Sequence, residues 1–211
     1  MLRGVDVSHH QGKIDFAKVA ASGVRFVYLK ATQGKSFVDD MFLKNVKAAQ
    51  AAGLAVGAYH YFVPDGGAGG QFSNFWAAVM NCGGPAGMLV PALDVEGDNQ
   101  NTLPSGFTGE QYVKSASAWL SYLWERTGRK GIVYTYPSFN NTYLKGGLGE
   151  YPLWAAAYPT LTLTSGKLTK WQGWTDWLFW QYAVGSCPGV SGACDLDCLN
   201  GDEEALKRLI V

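Results

Sequence analysis

The fold is decided by residues 25–62, RFVYLKATQGKSFVDDMFLKNVKAAQAAGLAVGAYHYF, where two apolar runs enclose a helical period. Arg25–Ala31 and Leu54–Phe62 are rich in β-branched and aromatic side chains, which is typical of buried strands. Between them, Asp39–Ala52 repeats apolar residues at helical spacing and is followed by Gly53, a common helix end signal. The segment is therefore predicted to be a strand–helix–strand unit with parallel strands.

The same alternation continues on both sides of this unit. Further strands are predicted at Gly4–Ser8, Met88–Val95, Gly131–Tyr136, Leu153–Tyr158, Leu178–Tyr182 and Gly189–Leu196. Further helices are predicted at Phe16–Ala21, from Phe72 through Val79, from a capping box at Thr108 and Gln111 to Arg126, and from Asp202 to Ile210.

About eight strands that alternate with helices favour a parallel sheet closed into a barrel. An open doubly wound sheet is the alternative, but no G-x-G-x-x-G follows the first predicted strand and no G-x-x-x-x-G-K occurs. Because helices are fewer in the second half, the predicted class is α/β, an irregular (β/α) barrel of the TIM type. No linker, repeat or low-complexity stretch appears, which predicts a single domain over residues 1–211.

Composition narrows the function classes. The chain is 47% hydrophobic and 16% charged, which excludes a disordered protein. Its 17 basic and 17 acidic residues cancel, and no basic run occurs, so no nucleic-acid partner is expected. No apolar stretch approaches the roughly 18 residues of a membrane span, so no membrane insertion is expected. The aromatic content of 14% suits sugar stacking as well as core packing. Both roles stay open for a cluster of four tryptophans at Trp171, Trp174, Trp177 and Trp180.

Carboxylates stand at the predicted ends of three strands. Asp6 ends the first strand, Asp94 and Glu96 end the fourth, and Asp195 and Asp197 end the last. In such a barrel the chemistry lies at the carboxyl ends of the strands. Burying an unpaired carboxylate costs several kcal/mol, and no basic residue stands near Asp94 in the sequence, so these acids indicate a functional site.

The spacing of Asp94 and Glu96 suits acid catalysis. Residues two apart on a strand point to the same face, with Cα atoms about 6–7 Å apart. Glycoside hydrolysis needs two carboxyl groups about 5–9.5 Å apart, one protonated and one ionised. Mutual repulsion also separates the pKa values of such a pair. The spacing alone leaves open that the two acids cap a loop or bind a structural cation.

Histidine and serine chemistry is less well supported. His9 and His10, as neighbours on a strand, are expected to point to opposite faces, which disfavours a shared metal. His60 is expected to line the barrel end as a hydrogen-bonding group. No G-x-S-x-G motif is present for a serine nucleophile.

The cysteines allow several states. They are Cys82, Cys187, Cys194 and Cys198. Their gaps fit zinc ligation poorly, whereas a disulfide such as Cys187 with Cys194, or free thiols, stays open.

Seven motifs occur along the chain: DVSHHQG at 6–12 followed by IDF at 14–16, KATQG at 30–34, GAYHYF at 57–62, LDVE at 93–96, PLWAAAY at 152–158, WQY at 180–182 and GACDL at 192–196. In content and order they resemble the glycoside hydrolase family 25 lysozymes, the Chalaropsis-type N-acetylmuramidases. Two positions depart from that pattern: Gln33 replaces a common Glu, and Asp197 replaces a common Asn and is expected to add negative charge near Asp195.

The resemblance implies an irregular (β/α) barrel that cleaves the β-1,4 bond from N-acetylmuramic acid to N-acetylglucosamine in peptidoglycan, with retention. It implies Glu96 as general acid and Asp94 as second carboxylate, acting as nucleophile or on the substrate acetamide. Supporting or substrate-binding roles are implied for Asp6, Asp195, Tyr59, Tyr61, Tyr136, Trp154, Tyr158 and Gln181. No metal or organic cofactor is expected.

The implied partner is bacterial peptidoglycan, and a monomer is expected. The implied site of action is the bacterial cell wall, reached by a secreted chain whose leader was removed or by a phage endolysin made in the host cytoplasm and released. Two other functions stay open at this point: a non-catalytic glycan-binding module on the same scaffold and a chitin-directed glycosidase.

Overall fold

A computed structural model describes residues 1–64, 67–97, 102–158, 168 and 171–211. Its strands are β1 (Leu2–Val7), β2 (Val24–Gln33), β3 (Phe37–Val38), β4 (Ala55–Tyr61), β5 (Ala92–Asp94), β6 (Ile132–Thr135), β7 (Leu153–Ala156), β8 (Phe179–Ser186) and β9 (Ala193–Leu199). Its helices are α1 (Phe16–Ala21), α2 (Phe42–Ala51), α3 (Ala68–Asn81), α4 (Gly109–Thr127), α5 (Pro137–Phe139) and α6 (Glu203–Lys207), with a 3-10 turn at His9–Gln11 and a π turn at Asn140–Leu144.

The sheet closes on itself. Around the barrel the strands follow the order β1-β2-β4-β5-β6-β7-β8-β9, and β1 pairs with both β2 and β9. The short β3 is an antiparallel addition to the edge of β2. The predicted α/β barrel of about eight strands is therefore confirmed, with fewer helices after β6 as expected.

The last strand corrects the prediction. It covers Ala193–Leu199 instead of Gly189–Leu196, and it runs antiparallel to both of its neighbours. The physical reason is the length of the connection, because residues 187–192 are too few for the crossover of a dozen or more residues that parallel strands need. The amino-terminal half of β9 therefore lies beside the carboxyl ends of the other strands.

Several element boundaries differ from the prediction. Only Ala92–Asp94 of the predicted strand Met88–Val95 joins the sheet, while Leu89 forms an isolated antiparallel bridge with Ile210. That bridge takes Ile210 out of the predicted last helix, and α6 ends at Lys207. β3, α5 and the π turn are not predicted from the sequence, because they are short elements without their own periodicity.

The helix signals are reproduced more closely. Thr108 and Gln111 form the predicted capping box at the start of α4, and Gly128 ends that helix in the left-handed region at φ 66°. The helix predicted from Asp39 begins at Phe42. Asp39 lies in the turn before the helix, where its carboxylate accepts a hydrogen bond from the Met41 amide at 3.0 Å.

Large side chains fill the amino-terminal part of the barrel interior, here called the apolar layer. Its members are Phe26, Tyr28, Ala92, Ile132, Trp154, Phe179 and Leu199. Glycines on the neighbouring strands give the rings room, since a Cβ atom at Gly4 or Gly57 would lie 2.2 Å from the ring of Phe26 or Tyr28. The bottom of the barrel is therefore a packed core, as in other barrels of this size.

The tryptophan cluster belongs to the outer core between barrel and surface. Trp171, Trp174, Trp177 and Trp180 are each at most 9% exposed, and Trp180 donates a hydrogen bond to the Ala157 carbonyl at 2.9 Å. These burials support the core interpretation of the cluster.

None of the helices within the described residues is both long and apolar enough to cross a membrane.

The four cysteines all lie in the described part of the chain and are free thiols in the structure. Cys187, Cys194 and Cys198 are buried, whereas Cys82 is partly exposed. The disulfide between Cys187 and Cys194 that the sequence left open is not formed here.

Candidate active site

A cavity opens at the carboxyl ends of the parallel strands. Eight of the ten predicted site residues line it: Asp6, Tyr59, Tyr61, Asp94, Glu96, Trp154, Gln181 and Asp195. Lys30 and Tyr134, which the sequence analysis did not select, line it as well, together with the turn that follows β1. Sequence positions from 6 to 195 thus meet at one end of the barrel.

The alternation of strand residues explains why these side chains converge. Leu93 of β5 is fully buried on the helix side of the sheet, so Ala92 and Asp94 point inward. Tyr61 of β4 and Tyr134 of β6 are the register partners of Asp94, and they flank it on both sides. Tyr134 could have been found from the sequence by counting inward positions along β6.

The antiparallel β9 places its two acids at different depths. Asp195 pairs with Asp6 across β1 and β9 and lies at the cavity. Asp197 pairs with Gly4, further from the cavity, and is fully buried. The expectation that both acids stand at the carboxyl end of a strand is wrong, because β9 continues past them to Leu199 and runs in the opposite direction.

Asp94 and Glu96 lie in a poorly solvated environment. Asp94 is 7% exposed, and its Oδ1 atom has no hydrogen-bond partner among the described residues. Burial raises the pKa of Asp94 well above its usual range, and repulsion from Glu96 raises it further. Burial also raises the pKa of Glu96 to about 7. Near neutral pH the pair therefore holds a proton that an ordinary solvated pair would have lost.

Lys30 supplies the positive charge that the local sequence around Asp94 lacks. Its charge lowers the pKa values of both Asp94 and Glu96, against the effect of burial. The ammonium group donates a hydrogen bond to Gln33 Oε1 at 2.8 Å and lies 4.9 Å from the centre of the Tyr61 ring. Gln33, which the motif comparison marked as a departure, thus helps to position this lysine.

A hydrogen-bond network holds Asp6 at the floor of the cavity. Gln181 Nε2 donates to Asp6 Oδ2 at 2.7 Å. Gln181 Oε1 accepts from the Tyr134 hydroxyl at 3.0 Å and from the Tyr158 hydroxyl at 2.5 Å. Tyr158, predicted as a site residue, therefore acts on the site through Gln181 and does not line the cavity itself. Burial and repulsion from Asp195 raise the pKa of Asp6 to about 8, and the hydrogen bond from Gln181 opposes that shift.

Tyr136 is not brought to the cavity. Strand β6 ends at Thr135, and Tyr136 is the N-cap residue that precedes α5, with its ring 5.8 Å from that of Phe139. The inward alternation ends with the strand, so the predicted site role of Tyr136 has no support in its position.

His60 is also directed elsewhere, which corrects the expectation that it lines the barrel end. It lies between the inward residues Tyr59 and Tyr61 and points out of the barrel, fully buried. Its Nδ1 lies 2.7 Å from Thr32 Oγ1, and its Nε2 donates to Gln71 Oε1 at 3.1 Å. Burial lowers its pKa to about 4, so the imidazole is neutral at physiological pH.

The two adjacent histidines lie in the 3-10 turn after β1 and not on the strand, so the expectation of opposite faces is wrong. Their ring centres are 4.0 Å apart, and His9 Nδ1 lies 2.8 Å from Asp39 Oδ2. Within the described ranges, no three His, Cys, Asp or Glu side chains are arranged to hold a metal ion.

The arrangement suits a reaction that needs one protonated and one ionised carboxyl group. Both carboxyl groups line the cavity, and Glu96 is more exposed than Asp94, which favours access of a substrate oxygen to Glu96. Tyrosine and tryptophan side chains in the same cavity offer hydroxyl groups and ring faces to a polar ligand.

Comparison with known proteins agrees with this architecture. The sequence model of the family described as "Glycosyl hydrolases family 25" matches residues 5–190. Lysozyme M1 of Streptomyces globisporus is 32% identical over 215 residues, which cover 99% of this chain and 71% of that protein. The N,O-diacetylmuramidase of Chalaropsis sp is 29% identical over 216 residues, covering 99% of this chain and 98% of that one.

Solved structures show the same fold. The crystal structure of a bacterial lysozyme from Streptomyces coelicolor superposes with a TM-score of 0.86 at 31% identity, covering 99% of this chain and 96% of that one. The family match spans most of the chain, and Asp94 and Glu96 of the chain lie in the cavity that the barrel forms. The chain belongs to the glycosyl hydrolases of family 25.

Proposed function

We propose that this chain is a lysozyme that hydrolyses the β-1,4 bond from N-acetylmuramic acid to N-acetylglucosamine in bacterial peptidoglycan, with retention of configuration. The observation that carries the proposal is the buried pair Asp94 and Glu96 in the cavity of a family 25 barrel. The muramidase and lysozyme names of the relatives support this substrate over chitin. The site of action is then the bacterial cell wall.

Glu96 is the general acid in this mechanism. Its pKa of about 7 keeps a large fraction of the side chain protonated under neutral conditions. A proton given to the glycosidic oxygen makes the leaving sugar a neutral alcohol, which is the costly part of breaking the bond. Glu96 then takes a proton from the incoming water in the second half of the reaction.

Asp94 is the second carboxylate and acts while ionised. As nucleophile or as partner of the substrate acetamide, it stabilises the positive charge that develops at the anomeric carbon. Lys30 favours the ionised form of Asp94 once Glu96 holds the shared proton. Asp6 and Asp195 line the same cavity, where negative charge on either carboxyl group would also favour an oxocarbenium-like transition state.

The experiment is digestion of purified peptidoglycan by the wild-type protein and by Glu96→Gln, with mass spectrometry of the reduced fragments. The wild type is expected to yield fragments that end in reduced muramic acid, and Glu96→Gln is expected to be slower by about 10²–10⁴-fold. Glu125→Gln, an exposed substitution of the same kind on α4, serves as control and should digest at the wild-type rate.

Three results would contradict the proposal. Fragments ending in reduced glucosamine would assign a different bond. Full activity of Glu96→Gln would remove Glu96 from the mechanism. Binding to the wall without any new reducing ends would identify a glycan-binding module.

A further inference from the structure

Asp197 is the most deeply buried acid beside the cavity. Its side chain is 0% exposed, and it lies in register with Gly4 of β1 and Gln181 of β8. Gly4 has no side chain, so the Asp197 carboxyl group faces its diagonal neighbour Asp6 on the same side of the sheet, and the two carboxyl groups interact.

The donors around Asp197 account for only one of its oxygens. Trp154 Nε1 donates to Oδ1 at 2.9 Å, so Oδ1 is an acceptor. Oδ2 is buried and has no partner with a hydrogen to donate in the described part of the chain. The group it can reach is the carboxylate of Asp6, which is itself an acceptor. Two ionised carboxylates at diagonal positions of adjacent strands would repel each other in a medium of low polarity.

One proton between the two acids removes the conflict. On Asp197, it turns Oδ2–H into a donor to Asp6 while Oδ1 still accepts from Trp154. Asp6 already accepts from Gln181 and has contact with the cavity, so the negative charge is better stabilised on Asp6 than on the fully enclosed Asp197. An asparagine would present the same pattern of one acceptor and one donor.

We propose that Asp197 is a positioning residue that keeps its proton in the folded protein and donates it in a hydrogen bond to Asp6, which favours the ionised form of Asp6 at the cavity. Burial and the neighbouring Asp6 raise the pKa of Asp197 well above its usual range, which agrees with this geometry. Near neutral pH Asp197 then adds no negative charge beside Asp195, contrary to the expectation from the sequence.

The largest influences on the pKa of Asp197 are burial, acidic neighbours and the hydrogen bond from Trp154. The titratable groups that interact with it are Asp6 on β1, Tyr28 on β2, Asp195 and Cys198 on β9, Tyr158 after β7 and Tyr182 on β8. The effect on catalysis rests on the proposed function, whereas the proton itself can be tested without any substrate.

The experiment is thermal unfolding of the wild type and of Asp197→Asn between pH 4 and pH 9. Unfolded aspartate loses its proton near pH 3.9, whereas the folded wild type keeps it, so wild-type stability falls as the pH rises above about 4. Asparagine has no proton to retain. The Tm of Asp197→Asn minus that of the wild type should therefore increase by at least about 5 °C from pH 4 to pH 7.

Two control variants make this result specific. Asp40→Asn changes an exposed aspartate and should give a Tm difference that is flat with pH. Asp197→Leu removes the donor to Asp6 and leaves the Trp154 indole N–H unpaired, so it should lower kcat on peptidoglycan at least about tenfold, while Asp197→Asn stays within about threefold of the wild type.

The outcomes separate the two proposals. A Tm difference for Asp197→Asn that does not change with pH overturns the retained proton, whether or not the protein digests peptidoglycan. A pH-dependent Tm difference together with equal loss of kcat in the Asn and Leu variants overturns the positioning role. A wild type without muramidase activity overturns the proposed function and leaves the thermal result to decide on the proton.

Discussion

The barrel interior consists of two layers that the same strands supply. The apolar layer contains Phe179 and Leu199, and two positions away on the same strands stand Gln181 and Asp197. The second group belongs to what we call the acid layer, which consists of Asp6, Asp94, Glu96, Asp195 and Asp197. Strand geometry is alike in both layers, so the difference between them comes from side-chain chemistry alone.

The two layers differ in how well their groups are satisfied. Rings of the apolar layer contact one another closely, for example Phe26 and Phe179 with centres 4.9 Å apart. The acid layer leaves Asp94 Oδ1 and Asp197 Oδ2 without donors among the described residues. Burial of such groups lowers stability, and the comparison indicates that the acid layer is kept for its chemistry while the apolar layer supports it.

The largest expected effect is that of Asp94→Asn, which should affect activity and stability in opposite directions. kcat/KM should fall about 10²–10⁴-fold, because the ionised second carboxylate is lost. The free energy of unfolding at pH 7 should rise. Because the pKa of Asp94 is raised in the folded state, the wild type loses stability as the pH increases above about 4, and the asparagine variant does not. Peptidoglycan digestion and Tm values at pH 4 and pH 7 measure both. A lower Tm at pH 7, or unchanged digestion, would contradict this view of the acid layer.

The apolar layer should respond in the reverse way to Phe179→Ala. Phe179 is fully buried, so the free energy of unfolding should fall by about 3–5 kcal/mol through lost packing and a new cavity. Urea titration at pH 5 and pH 7 measures it, and the loss should be equal at both. Phe37→Ala, at a ring that is 42% exposed, is the control and should cost less than about 1 kcal/mol. A loss that depends on pH would couple the two layers.

Lys30→Met sharpens the comparison within the acid layer. Lys30 stabilises the ionised forms of Asp94 and Glu96, so its removal should raise both pKa values. Because Glu96 has a pKa of about 7 in the wild type, the alkaline limb of the kcat/KM profile should move upward from there. A shift of about one pH unit is expected. Lys44→Met, on the exposed side of α2, should leave the profile in place. A downward shift in Lys30→Met would show that Lys30 acts by another route.

The smallest effect is expected for Tyr158→Phe at the edge of the acid layer. The change removes one of the two hydroxyl donors to Gln181, while Tyr134 keeps the other. kcat/KM should fall by about 3–10-fold, in line with one hydrogen bond of about 1 kcal/mol. Tyr122→Phe, on a partly exposed ring of α4, is the matched control. A loss as large as that of Asp94→Asn would place Tyr158 in direct contact with the substrate.

Much of the fold followed from short-range patterns. Apolar runs rich in β-branched and aromatic residues predicted the strands, and helix start and end signals predicted the helices and the capping box at Thr108, because these features depend on neighbouring residues only. Boundaries failed where a distant partner intervened, as for Ile210, which pairs with Leu89. The same local logic identified Asp94 and Glu96 as inward neighbours on one strand.

The rest of the site depends on contacts between residues far apart in the chain. Gln181 binds Asp6 across 175 positions, and Lys30 reaches the acids of another strand. The sequence alone did not orient β9, so the depths of Asp195 and Asp197 became visible only in the closed barrel. Side-chain periodicity is local and can be read from the sequence, whereas charge, burial and proton sharing arise from groups that only barrel closure brings together.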